Sequence, residues 1–237
     1  MRIGGASVMG SYHDKNQDSF IAEKVANGWL IAVSDGVGSC RYSEAGSSLA
    51  CKAVKKVIEH FGGIHEDLDF FFETLHKEWI GSILCHPQGY DSSDCYATLL
   101  FSYYDGHKLF SARLGDGIIG ISADDQYFLL YDDKNDHMCN ETDCLYEKYA
   151  PEAWDILEIE SDRINCVIIG TDGLSIEPHK EESYKDFIID IYSEYSDTEE
   201  KDIIEDMYRW LPQWESSDDK SMVFLMGDKT DGTLVCV

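Results

Sequence analysis

The chain has 237 residues, 43% hydrophobic and 12% aromatic, enough to bury a large core in one domain or at most two. Its 46 acidic residues against 19 basic ones give a formal charge of -27, which excludes nucleic acid and anionic membrane as partners because phosphates are repelled at long range. Cations and basic partners fit that field, while most of the acids read as a solvated surface.

Strands are predicted at 2–9, 19–25 and 28–34, with a hairpin turn at "ANG", 26–28. Ala45, Leu49, Ala53, Val57 and Phe61 then recur at four-residue spacing, predicting a helix capped by Ser43 and stopped by Gly62. The stretch from Glu66 to Cys85 repeats the pattern with Leu68, Phe72, Leu75, Trp79 and Ile83, and its aromatic stripe reads as core. A β-rich block follows at 95–104, 107–114 and 118–131, with a turn at Asp105 and Gly106. Beyond an irregular polar stretch, 132–153, come strands at 154–160 and 165–171, helices near 182–194 and 198–211, and a last strand at 221–226. No repeat, low-complexity tract or linker divides the chain, and the α-β alternation of a parallel sheet is missing. The pattern describes an α+β fold, one antiparallel sheet-rich domain flanked by helices.

The opening residues lack a basic segment followed by an apolar one, and no apolar run approaches the roughly 18 residues of a membrane helix, so a cytoplasmic protein is expected. Eight scattered cysteines, at 40, 51, 85, 95, 139, 144, 166 and 236, form no CxxC pair and read as reduced core thiols. His137, Cys139 and Cys144 lack a nearby fourth ligand for zinc.

Five Asp-Gly pairs, at 35, 105, 116, 172 and 231, carry the chemistry to be sorted. A tight turn is the ordinary use of such a pair, and Asp105-Gly106 suits it. Asp35 and Asp172 differ, because each ends an apolar run that looks buried, where a carboxylate is costly unless a cation or hydrogen bonds compensate. Asp219 mirrors them, just ahead of the apolar "SMVFLM". Were these strand ends neighbours, their carboxylates would shift each other's pKa or demand a cation, and oxygen ligands select hard ions such as Mg2+ or Mn2+.

The motifs "HDKNQDSF" (13–20), "VSDGVGS" (33–39), "DCYATLLF" (94–101), "RLGDGIIG" (113–120), "IIGTDGLS" (168–175) and "SDDKSMVFL" (217–225) stand in the order of one known family. Spanning nearly the whole chain, they resemble the metal-dependent protein phosphatases of type 2C, in a divergent bacterial form. The resemblance implies a four-layer α-β-β-α sandwich of two antiparallel sheets flanked by helices, a single type 2C-like domain over 1–237. It also implies Mn2+ or Mg2+, two ions or three, between the sheet ends. By position, Asp35 would bridge two ions with the Gly36 carbonyl on one of them, and Asp172 and Asp219 would bind the other. Asp18 would reach the cluster through water, and Asp116 would serve a third ion. The implied reaction is hydrolysis of phosphoserine or phosphothreonine in a protein substrate by a water activated between two metals, opposing a cognate kinase.

Departures from that pattern concern the substrate side. His13 stands where bacterial members place a phosphate-gripping arginine, and imidazole cannot form a two-hydrogen-bond fork. Val37 replaces a histidine proposed in eukaryotic members to protonate the leaving group, Lys220 an asparagine, and Gly117 a serine, while the stretch forming the substrate-side flap is short. All metal-site carboxylates are present, so an active enzyme is expected. The alternatives are a pseudophosphatase acting as a binding module and a hydrolase of small phosphate esters.

Overall fold

A computed structural model of the chain describes residues 1–124, 126–131, 143–174, 176 and 181–227. In chain order the strands and helices are β1 (Arg2–Val8), β2 (Asp18–Val25), β3 (Gly28–Asp35), α1 (Ser43–Phe61), α2 (Leu68–Leu84), β4 (Leu99–Tyr104), β5 (Lys108–Leu114), β6 (Ile118–Ala123), β7 (Gln126–Leu130), β8 (Asp155–Glu160), β9 (Ile164–Gly170), α3 (Glu181–Tyr195), α4 (Glu200–Trp210) and β10 (Lys220–Met226).

They form two five-stranded antiparallel sheets, ordered β1-β10-β9-β6-β7 and β2-β3-β4-β5-β8. Side chains alternate across a strand, so each sheet offers two faces, and both are apolar here. Ile31, Val33 and Leu100 of the second sheet pack against Ile121, Val167, Ile169 and Val223 of the first. On the outer face of the second sheet, Leu30, Ala32, Phe101 and Phe110 meet Val54, Ile58, Phe71 and Trp79 of α1 and α2. Outside the first sheet, Ile168 and Phe224 meet Ile188 and Ile191 of α3 and Ile203 and Met207 of α4. Three apolar layers between four structural ones make the α-β-β-α sandwich, with each fully buried large side chain contributing about 1.5–3 kcal/mol.

Helix α1 corrects two expectations. Tyr42, with no side-chain cap, precedes the helix, whereas Ser43 lies inside it with a buried hydroxyl that has no partner. Its inner face runs through Gly46, Ala50, Ala53, Val54 and Val57, while Ala45, Leu49 and Phe61 lie along its edge. The rotation follows from Gly46. A Cβ there would overlap the Cys95 carbonyl, and Trp79 Nε1 donates to the Gly46 carbonyl at 3.2 Å, so the helix sits down on its smallest residue. Gly62 ends it as expected, at φ 75°. The single run at 118–131 is a hairpin, β6 and β7, turning at Asp124 with φ 46°.

The cysteines among the described residues are free, and Cys51, Cys95 and Cys166 are buried. No helix of the described residues is long and apolar enough to cross a membrane. His137 and Cys139 of the weighed zinc cluster, and Asp231-Gly232, lie outside the described residues.

Candidate metal centre

Strands β2 and β3 each extend one residue beyond their apolar runs, and the added residues are Asp18 and Asp35, directly opposite one another in the ladder. Thr98 fixes the second of these: its backbone N–H donates to the Asp35 carbonyl at 2.8 Å, and its hydroxyl accepts the Asp35 N–H at 2.9 Å. Gly36 then donates to the Gln17 carbonyl at 3.1 Å. A Cβ on Gly36 would overlap the Ser43 backbone, so glycine is needed here for room.

The other sheet supplies the remaining acids. From the end of β9, Thr171 accepts the Ser221 N–H on its hydroxyl at 3.0 Å and donates that hydroxyl to Asp18 at 2.8 Å, bridging the two sheets. Asp172 follows. Gly173 lies against the Asp219 backbone so closely that a Cβ would overlap its carbonyl oxygen, which brings the two acidic segments together. Asp219 is buried; one oxygen accepts the Gly10 N–H at 2.7 Å, the other the Gln17 N–H at 2.7 Å, and His13 Nδ1 lies 3.2 Å from that second oxygen. His13 Nδ1 is also 3.5 Å from a carboxylate oxygen of Asp218, which is 44% exposed. These ligand atoms of His13, Asp218 and Asp219 lie within 4.8 Å of one another.

Crowding sets the electrostatics. Burial first, then the charges of Asp18 and Asp172, raise the Asp35 pKa far above a carboxylate's usual range, and Asp218 adds to the rise. Burial likewise raises Asp18, against the lowering hydrogen bonds from Thr171 and its neighbours, and Asp219 pushes it further up. One oxygen of Asp18 is buried without a hydrogen bond. Such a cluster stays partly protonated unless a cation enters, and its oxygen donors fit a hard divalent ion.

Asp116 sits where the chain crosses from β5 to β6, one sheet to the other, beside Gly115 at φ 119°. The buried Arg113 guanidinium donates to the Gly115 carbonyl and to Asp155, pinning the crossover. Asp105 is exposed and accepts the N–H groups of His107 and Lys108, both at 2.8 Å, within its own turn.

Reading the sequence missed Thr98, Thr171 and Asp218. The doubled acid of "SDDK" was a visible signal for the last, which is half-exposed beside the buried Asp219.

A family model described as protein phosphatase 2C matches residues 11–214. The chain belongs to the protein phosphatase 2C family. It is an enzyme of the metal-dependent serine/threonine phosphatases, and the sandwich is the family's fold. A serine/threonine phosphatase of Staphylococcus aureus superposes with TM-score 0.71 at 14% identity, over 97% of this chain and 96% of that one. The serine/threonine phosphatase of Mycobacterium tuberculosis gives 0.66 at 15%, over 96% and 99%. That of S. agalactiae gives 0.67 at 15%, over 95% and 99%. Among curated proteins, none matches this chain in sequence.

Proposed function

We propose that the chain removes phosphate from phosphoserine and phosphothreonine in proteins at the strand ends where its carboxylates converge. The observation carrying this reading is the register pairing of Asp18 with Asp35, two acids raised in pKa by burial, Asp35 also by the charge of Asp18. Two divalent ions, Mn2+ or Mg2+, would be held by Asp35, the Gly36 carbonyl, Asp172 and Asp219, with Asp18 reaching them through water and Asp116 serving a third. When bound, such ions lower the pKa of a water between them and offset phosphoryl charge.

The chain's own residues orient this apparatus. Thr98 holds Asp35 and Thr171 holds Asp18. Asp219 was the expected ligand at the start of β10, yet both its oxygens take backbone N–H groups of the 9–17 loop. The lone pairs left on those oxygens let Asp219 hold an ion as well as the loop, and its neighbour Asp218, whose charge bears on Asp35, adds to the negative charge of the site. His13 has Nδ1 turned to Asp219 and Nε2 on the side of Gly38, so only Nε2 remains to meet a substrate phosphate. Val37 has no proton to give, which leaves leaving-group protonation to water.

The test is phosphate release, with Mn2+ and with EDTA, from a phosphothreonine peptide and from p-nitrophenyl phosphate. Metal-dependent release from both supports the proposal. Release from the small ester alone favours a small-ester hydrolase, and release from neither a binding module.

A single domain over 1–237 is supported by strands outside the matched residues. β1 and β10 pair with each other along their whole length, and β10 pairs with β9, so both strands complete the sheet. Free thiols support a reducing compartment, the cytoplasm. A kinase that phosphorylates the same substrate is the partner the reaction implies.

A further inference from the structure

The loop from Met9 to Gln17 joins the two sheets at the rim of the carboxylate cluster. Gly10 donates to Asp219 at 2.7 Å and Tyr12 to the Ser217 carbonyl at 3.0 Å. Gly10 also lies so close to the Ser217–Asp218 backbone that a Cβ would overlap it. The loop is therefore clamped, yet its two large side chains face outward, Met9 54% exposed and Tyr12 80% exposed. Isolated apolar side chains on a surface are ordinary. Here the aromatic ring is adjacent to the site: Tyr12 meets His13 edge-on, ring centres 5.2 Å apart at 73°, and His13 touches both Asp218 and Asp219. A tyrosine held by its backbone loses little freedom on binding a partner.

Charge selects the partner. Exposed Asp14 follows two residues along the loop, and half-exposed Asp218 contacts the His13 ring that Tyr12 meets, within a chain whose net charge is -27. Basic groups of this region are committed elsewhere, Lys15 to Glu44 at 2.7 Å, the buried Lys220 to the Asp218 carbonyl at 2.9 Å and Arg41 over the Tyr42 ring at 5.0 Å. An aromatic face beside carboxylates suits a cation carried on an apolar stem. We infer that Tyr12, at the rim of the acidic cluster, seats an arginine or lysine next to the phosphorylated residue of the substrate. The inference rests on the phosphoprotein phosphatase reading and adds a substrate class to it, basic phosphopeptides.

The test uses two phosphothreonine peptides that differ only in carrying arginine or glutamate beside the phosphothreonine. The wild-type kcat/KM ratio is expected to favour arginine by about tenfold or more. Tyr12→Ala should lower that ratio several-fold, and Tyr12→Phe should keep it. Because the ratio cancels differences in active fraction, a fold defect cannot imitate the result. A wild-type ratio near one, or an unchanged ratio in Tyr12→Ala, overturns the inference. Should neither peptide release phosphate, the enzymatic reading fails, and fluorescence anisotropy of the labelled peptides still decides about the patch. Tighter binding of the arginine peptide, lost in Tyr12→Ala, supports it; equal affinities overturn it.

Discussion

Asp105-Gly106 and Asp35-Gly36 lie at opposite ends of neighbouring strands, β4 and β3. Asp105 is solvated and caps its own hairpin, and Gly106 has φ 106° with nothing packed where a Cβ would be. Asp35 faces other carboxylates, and Gly36 presses against the start of α1. One glycine serves the backbone angle of a turn; the other provides room for a second segment. The dipeptide thus says less than its surroundings do. An Asp-Gly pair builds a site when its glycine admits another element, and Gly173 against Asp219 repeats the pattern.

The comparison breaks most directly at Asp35. Asp35→Asn should lower Mn2+-dependent phosphate release by on the order of a hundredfold or more. Its metal-free form should melt at or above the wild-type temperature, since a repelled, buried charge is gone. Unimpaired turnover would place Asp35 among the turns.

A second measurement follows stability against pH. Asp18 and Asp35 hold protons more tightly folded than unfolded, so the native state binds more protons and their contribution falls as pH rises from the ordinary carboxylate value, 3.8, through the folded values. In EDTA the melting advantage of Asp35→Asn over wild type should therefore widen with pH. Mn2+ at 100 times its dissociation constant should stabilise the wild type by about 2.7 kcal/mol. A gap that narrows with pH, or no response to Mn2+, contradicts the electrostatic account.

Smaller effects sharpen the distinction. Asp116→Asn, at the crossover, should raise the Mn2+ needed for half-maximal activity roughly tenfold and leave the maximal rate nearly intact. Asp105→Asn should alter stability by no more than about 0.5 kcal/mol and leave activity as it was, since asparagine serves the same turn. Equal metal titrations for the two variants would make Asp116 a hairpin residue as well.

The strands and helices were legible because their apolar runs have the period of each element. Asp35 was legible as an acid at the end of such a run and Asp18 through the family resemblance, but the ladder that places them face to face was not. The inner face of α1 was misread because its centre is Gly46 and Ser47, residues without apolar weight. Gly46 packs on Cys95, and the Ser47 hydroxyl donates to the Gln17 carbonyl at 2.6 Å. Thr98 and Thr171 look like ordinary β-formers in sequence; their hydroxyls acquire a purpose only when another strand end arrives. Asp218 and Asp219 are chemically equivalent until backbone N–H groups close around one of them.

Thr171 ties an acid of one sheet to the backbone of the other with a single hydroxyl. That oxygen acts as a hinge pin between two layers whose interior contact is made by packed apolar side chains. Motion of the first sheet relative to the second is therefore conveyed to Asp18 without passing through the apolar interior. Thr171→Val, equal in shape, would leave both sheets paired yet free to part at this end, and amide hydrogen exchange at Asp18 and Ser221 should quicken while that at Ile31 and Val167 stays slow.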